Sequence, residues 1–129
     1  MREILFRAKR VKRYCAEQSW TYGVPFFDHE GDCIFKTSSS EFVVDPDTVG
    51  QYTGLTDKNG ERIFEGDIVM GLFLHSRPVK SVVSFQDGAF GLLWERAGVE
   101  TFWAFTSICN VEYEVIGNIH DTPELLEGE

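Results

Sequence analysis

The 129-residue sequence lacks the features that would place it in a well-defined class of protein. No apolar run approaches the roughly 18 residues of a membrane-spanning helix, so we expect no contact with a membrane. Residues 1–4 are not followed by the apolar stretch of a signal peptide, which predicts a cytoplasmic location. Phosphate-binding loops, dinucleotide fingerprints and the Gly-x-Ser-x-Gly motif are missing as well. The sequence therefore predicts no cofactor and no catalytic residue.

Cysteine is scarce, and its spacing excludes two common uses. Cys15, Cys33 and Cys109 are odd in number, lie far apart and form no Cys-x-x-Cys pair. This pattern is typical of free thiols in a reducing compartment, and it argues against a disulfide framework or a structural zinc site. We expect these cysteines to behave mainly as small buried apolar side chains.

Basic residues are few, and half of them lie at the beginning of the chain. The sequence has 12 basic and 21 acidic residues, a net charge of −9, yet residues 1–13 carry six basic side chains against one acidic one. The acidic remainder repels nucleic acid at long range. The basic segment is a candidate contact for nucleic acid or for a protein partner, including the protein's own acidic surface. The candidate residues are Arg7, Lys9, Arg10, Lys12 and Arg13.

Helical patterns are also scarce, and strand patterns fill the chain. Apolar and polar residues alternate over residues 4–9, 79–85 and 111–116, and Asp87-Gly88 separates two such runs as in a hairpin. Only residues 45–50, 106–109 and 121–126 leave room for single helical turns. We predict a mainly β fold, a small barrel or sandwich of short antiparallel strands with one or two single-turn helices. It is one domain over residues 1–129, with lobes at 1–50 and 51–129 as the alternative.

Aromatic residues make up 14% of the chain and mostly fall on predicted strands. Trp20, Tyr22, Val24 and Phe26 alternate with smaller residues, and Pro25 predicts that this strand lies at a sheet edge or is ending. Phe27 and Phe102 lie on the faces opposite the main apolar rows of their strands. The sequence therefore favours self-association through Phe27 and Phe102. Base stacking beside the basic segment is the alternative, which the acidic body disfavours.

Several groups of acidic residues invite a chemical interpretation, but their spacing favours structural roles. Residues 57–61 resemble a calcium loop, yet the glycine is fourth where an EF-hand needs it sixth, so we predict a tight turn. Residues 28–33 cluster metal-ligand types, and we interpret them as a polar hairpin loop. The pairs Asp45/Asp47 and Glu65/Asp67 are acid–base candidates, but Asp45 suits a helix cap and Asp67 a strand entry. We therefore predict no metal site.

Three stretches resemble the YopX-like family of small phage and prophage proteins. They are REILFRAK at 2–9 with WTYG at 20–23, DPDTVGQYTGLTDKNGERIFEGDIV at 45–69, and EVIGNIHDTPELL at 114–126. Together they extend across nearly the whole chain, with variable loops around 28–41 and 71–100. The segment at residues 9–19 departs from the family pattern, because it is longer and more basic than the short turn that the family often has there.

The resemblance implies a mainly β fold, a phage or prophage origin in a bacterial cytoplasm, and oligomerisation. It implies no activity, because the family has no established biochemical role. The leading hypothesis is a non-enzymatic accessory protein that contacts itself or a host protein. A nucleic-acid-binding module is the second hypothesis, and a small enzyme using residues 28–33 or an acidic pair is the third.

Overall fold

The computed structural model describes residues 3–11, 19–73, 79–107 and 111–127 and is mainly antiparallel β. The strands are β1 Phe6–Lys9, β2 Trp20–Phe27, β3 Cys33–Lys36, β4 Glu41–Val43, β5 Gly50–Thr56, β6 Arg62–Phe64, β7 Asp67–Phe73, β8 Val79–Gln86, β9 Ala89–Arg96, β10 Val99–Ala104 and β11 Val111–Asn118. Short 3-10 turns lie at Pro46–Thr48, Phe105–Ser107 and Pro123–Leu126. The predicted mainly β fold is confirmed. Over the described residues, the strands form two sheets, and neither closes into a barrel.

The chain divides into two compact units, residues 1–52 and residues 53–129. In the first unit the strands are hydrogen-bonded in the order β4-β3-β2-β1-β5. Strand β5 crosses the boundary, and β6 follows it in the sheet order. The second unit contains a five-stranded sheet in the order β10-β9-β8-β7-β11.

The core of the first unit lies on one face of its sheet. Ala8, Cys33, Phe35 and Val44 are almost completely buried there, and Phe6 and Val49 pack against them. Alternation along β1 places Phe6 and Ala8 on this face, as the sequence pattern predicts. Of the two alternatives predicted from Pro25, the sheet edge is wrong, because β2 lies between β1 and β3, and the end of the strand is confirmed, because β2 ends at Phe27. Pro25 is tolerated because β1 pairs only with residues 20–23, so only β3 pairs at Pro25.

The second unit buries a larger apolar cluster. Ile63, Val69, Val83 and Leu92 form its centre, and Trp94, Phe105, Tyr113 and Val115 pack around them. The predicted hairpin is confirmed: β8 and β9 are joined by Asp87 and Gly88, whose φ angles of 52° and 81° suit a two-residue turn. No helix in the described residues is long and apolar enough to cross a membrane.

Candidate functional site

The most exposed apolar surface of the first unit runs along β2. Trp20, Tyr22, Val24 and Phe26 alternate along the strand and therefore point to the same side of the sheet. Tyr22 is 49% exposed, Val24 57% and Phe26 40%, and Trp20 is half-buried. We call these four residues the exposed row.

The exposed row arises because β2 turns its smaller residues inward. Thr21 and Gly23 are buried on the core face, opposite the exposed row. A Cβ atom at Gly23 would collide with the carbonyl oxygen of Lys36, so only glycine allows β3 to approach this closely. The largest apolar side chains of β2 thus remain outside the core. The sequence pattern identified the row but not its direction.

Two basic side chains lie at the Trp20 end of the exposed row. The register places Arg7 opposite Tyr22 and Lys9 opposite Trp20, so both project from the same face as the row. The Arg7 guanidinium carbon lies 4.7 Å from the centre of the Trp20 ring, and Lys9 Nζ lies 5.5 Å from it. Both distances are those of cation–π interactions, and these interactions hold both positive charges above the Trp20 ring. We call Arg7 and Lys9 the cationic end.

Three carboxylates lie at the Phe26 end of the exposed row. Asp28, Glu30 and Asp32 follow directly after β2, and their oxygen atoms lie within 4.8 Å of one another. Asp28 Oδ1 accepts hydrogen bonds from the backbone N–H groups of Glu30, at 3.0 Å, and Asp32, at 2.9 Å. These bonds give the polar hairpin loop that the sequence predicts. We call Asp28, Glu30 and Asp32 the acidic end.

A shallow depression of about 280 Å³ adjoins the acidic end. Its lining combines apolar side chains of β2, β3 and β4 with two carboxylates: Phe26, Asp28, Ile34, Glu41, Phe42 and Val43. The exposed row, the two charged ends and this depression form one continuous surface of the first unit, which we call the β2 face.

The structure does not gather the predicted basic residues in one place. Arg7 is buried and Lys9 half-buried at the cationic end. Arg10 instead pairs with Val44, and its guanidinium carbon lies 3.6 Å from the centre of the Phe42 ring. Lys12 and Arg13 fall outside the described residues. The basic segment is thus divided between different surroundings, because residues 7 and 9 alternate with residue 10 along the extended chain.

The two aromatic residues predicted for self-association have different surroundings. Phe27 is 69% exposed and lies opposite Cys33, on the other side of β2 from the exposed row. Phe102 is half-buried, and its ring lies over Gly91 of the neighbouring strand β9. Phe27 is therefore accessible to a partner, whereas Phe102 is partly covered by its own sheet.

One carboxylate of each acidic pair, Asp45 and Asp67, has a structural role in the described residues. Asp45 caps the 3-10 turn at Pro46–Thr48 by accepting a hydrogen bond from the Asp47 N–H group. Asp67 is 1% exposed, and its Oδ2 accepts a hydrogen bond from the Phe64 N–H group at 2.8 Å. Both residues act as the sequence predicts, at a helix cap and at the entry to a buried strand.

Asp57 has a further role that the sequence did not indicate. Its Oδ1 accepts hydrogen bonds from the N–H groups of Asn59 and Glu61, and its Oδ2 accepts one from Val115, 58 residues away. Burial acts to raise the pKa of this carboxyl, but these three bonds and the Lys58 ammonium outweigh burial and lower it. Asp57 thus shapes the β5–β6 turn and ties it to β11.

The pKa values of two further groups, Cys33 and Tyr113, are shifted by burial alone. Burial raises the pKa of the Cys33 thiol, which lies in the apolar core of the first unit. Burial also raises the pKa of Tyr113, whose ring packs edge-on against Phe105 in the second unit. Both groups are kept in their neutral form, which fits a packing role.

The fold defines a class of small all-β proteins with two compact units, and comparison with known proteins identifies the family. The YopX protein family model matches residues 6–127, so the chain belongs to the YopX family. The chain is also similar to the crystal structure of protein EF1440 from Enterococcus faecalis, with 27% identity and a TM-score of 0.58. That match covers 98% of this chain and all of the Enterococcus faecalis chain. No curated protein matches the sequence.

Proposed function

We propose that this YopX-family chain is a non-enzymatic accessory protein of a phage or prophage that acts in the bacterial cytoplasm through protein contact. In this proposal it associates with a second copy through the β2 face. The exposed row carries the proposal, because three adjacent positions on one strand face leave large apolar side chains 40–57% exposed. Exposed aromatic and aliphatic groups that lie together are typical of protein interfaces.

The size of the β2 face predicts weak association. The strands β1 to β4 contain 4, 8, 4 and 3 residues, and together they cover about 300 Å² on each copy. Interfaces of this size fall at the low end of the range for protein complexes, below about 1,200 Å² in total. We therefore expect a reversible dimer at micromolar or higher concentration.

Sedimentation equilibrium between about 1 µM and about 1 mM tests this proposal. The wild-type chain should show a concentration-dependent dimer. Val24→Lys, in the middle of the exposed row, should weaken it at least about tenfold, because it buries a charge at the interface. Val99→Lys is the matched control, since Val99 is a strand valine of the second unit with 63% exposure. A wild-type chain that is monomeric throughout, or equal effects of both variants, would contradict the proposal.

Nucleic acid is the alternative partner, and the cationic end is where it would bind. Arg7 and Lys9 already lie against the Trp20 ring, which occupies the surface on which a base would stack. Arg10 lies over Phe42 instead of at this end. Titration with a fluorescent single-stranded oligonucleotide at low salt tests the alternative. Binding that weakens in Lys9→Ala, together with a monomeric wild-type chain, would favour nucleic acid over self-association.

A further inference from the structure

The β2 face has opposite charges at its two ends, and this arrangement determines how two copies can meet. The cationic end, Arg7 and Lys9, lies at the level of Trp20, where β2 begins. The acidic end, Asp28, Glu30 and Asp32, begins at the residue that follows β2. Trp20 and Asp28 are eight residues apart, or about 27 Å along an extended strand. The apolar exposed row lies between the two ends.

Parallel and antiparallel stacking of two such faces have different electrostatic consequences. If the two β2 strands ran in the same direction, each charged end would meet its own copy, and like charges would repel. If they ran in opposite directions, each cationic end would meet the acidic end of the other copy. A two-fold axis, the usual symmetry of dimers, can produce either arrangement: an axis along β2 gives the parallel one and an axis across β2 the antiparallel one. The charges at the two ends therefore decide between them.

We propose that two copies stack their β2 faces antiparallel about a two-fold axis that passes beside Val24. This inference rests on the proposed self-association and specifies its geometry. Val24 is the midpoint between Trp20 and Asp28, so Val24 of one copy faces Val24 of the other. Tyr22 then meets Phe26, and Lys9, level with Trp20, meets the acidic end. Two stacked sheets about 10 Å apart allow the exposed rows to interdigitate.

The arrangement makes the association sensitive to salt and to the sign of charge at each end. Glu30 is exposed and Lys9 half-buried, so either side chain can be replaced without opening the core of the first unit. Lys9→Glu gives a chain with a negative charge added to its cationic end. Glu30→Lys gives a chain with a positive charge added to its acidic end, and its cationic end is unchanged. Each variant alone should dimerise at least about fivefold more weakly than wild type at low salt, because opposite charges at both ends of the dimer are lost.

Mixing the two variants is the decisive experiment. In a mixed antiparallel dimer, the carboxylate introduced by Lys9→Glu in one chain meets the ammonium introduced by Glu30→Lys in the other. At the opposite end of the same dimer, the unchanged Glu30 of the first chain meets the unchanged Lys9 of the second. The equimolar mixture should therefore recover most of the wild-type affinity in sedimentation equilibrium at low salt, and the recovery should diminish in high salt. Circular dichroism melting of each variant controls for folding.

The outcomes separate this inference from the proposed function. Weakening of each variant alone, followed by recovery in the mixture, supports antiparallel stacking. In a parallel dimer each variant alone would dimerise no more weakly than wild type, and the mixture would dimerise more tightly than wild type; that result would overturn the antiparallel geometry. A wild-type dimer that is weakened by Val24→Lys, with two charge variants that mix without recovery, would overturn the antiparallel geometry and leave self-association through the β2 face intact. A wild-type chain that never dimerises would overturn both.

Discussion

The two units of the chain differ in charge and in the use they make of their apolar residues. Residues 1–52 hold seven basic and eight acidic side chains, a net charge of −1, whereas residues 53–129 hold five and thirteen, a net charge of −8. The first unit leaves four large apolar side chains of its longest strand 40–69% exposed: Tyr22, Val24, Phe26 and Phe27. The second unit also exposes large apolar side chains, but they are spread over several strands and turns instead of being gathered on one strand: Leu55, Phe85, Val99, Trp103, Ile119 and Leu126.

This difference indicates where association between copies is possible. Two copies of a surface with a net charge of −8 repel each other, while a nearly neutral surface with opposite charges at its ends does not. The charge difference therefore supports placing the proposed self-association at the first unit. The second unit has an acidic surface, which favours solubility. Its β5–β6 turn is hydrogen-bonded to β11 through Asp57, which stabilises the fold.

The largest expected effect concerns the structural role assigned to the second unit. Asp57→Ala removes the charged acceptor of three backbone N–H groups and should destabilise the fold by about 3 kcal/mol, because three hydrogen bonds to one carboxylate are lost together. Chemical denaturation measures this change. Glu112→Ala, an exposed carboxylate on β11, is the control and should change the stability by no more than about 0.5 kcal/mol. Equal effects of the two variants would refute the assigned role of Asp57.

A smaller effect is expected from a pair of aromatic residues, one in each unit. Phe102→Ser should destabilise the fold by about 2 kcal/mol, because Phe102 is half-buried over Gly91. Phe27→Ser should have little effect on stability, since Phe27 is 69% exposed. Thermal melting of both variants gives the comparison. A larger loss for Phe27 would show that the first unit covers this side chain.

The smallest expected effect is a dependence of stability on pH. The pKa of Asp57 in the folded protein lies below its ordinary value of 3.8. Its ionised form therefore stabilises the fold above pH 3.8, and this contribution is lost as the pH falls from there through the lowered pKa. Asp57→Asn cannot ionise, so the stability difference between wild type and Asp57→Asn should shrink below pH 3.8. A difference that stays constant down to the acid-unfolding range would contradict the lowered pKa.

The sequence predicted the local structure better than the direction of each face. Asp45, Asp67 and the Asp87-Gly88 turn behave as predicted, because caps and tight turns depend on residues that are neighbours in the chain. The bond from Val115 to Asp57 joins residues 58 positions apart, and no local pattern signals it. The exposed row was recognisable as a row, but its exposure depends on how β3 approaches Gly23. The approach of β3 to Gly23 depends on tertiary packing, which a local sequence pattern does not encode.

The longest stretch of the family signature and most of the candidate site lie in different parts of the chain for a related reason. The long run at 45–69 supplies caps, turns and buried strand positions, including Gly54, Gly60 and Gly66 with φ angles of 89°, 81° and 91°. Such positions specify a fold. The β2 face lies outside that run, on a strand that shares only residues 20–23 with the resemblance. Function is therefore best sought on the β2 face.

Fluorine NMR of the chain labelled with 5-fluorotryptophan tests the central claim most directly. The chain has three tryptophans: Trp20 at one end of the exposed row, and Trp94 and Trp103 in the second unit, with ring centres 5.0 Å apart. If copies associate through the β2 face, the Trp20 resonance shifts with protein concentration while the other two stay fixed. A concentration-dependent shift of Trp94 or Trp103 with a constant Trp20 resonance would contradict this account.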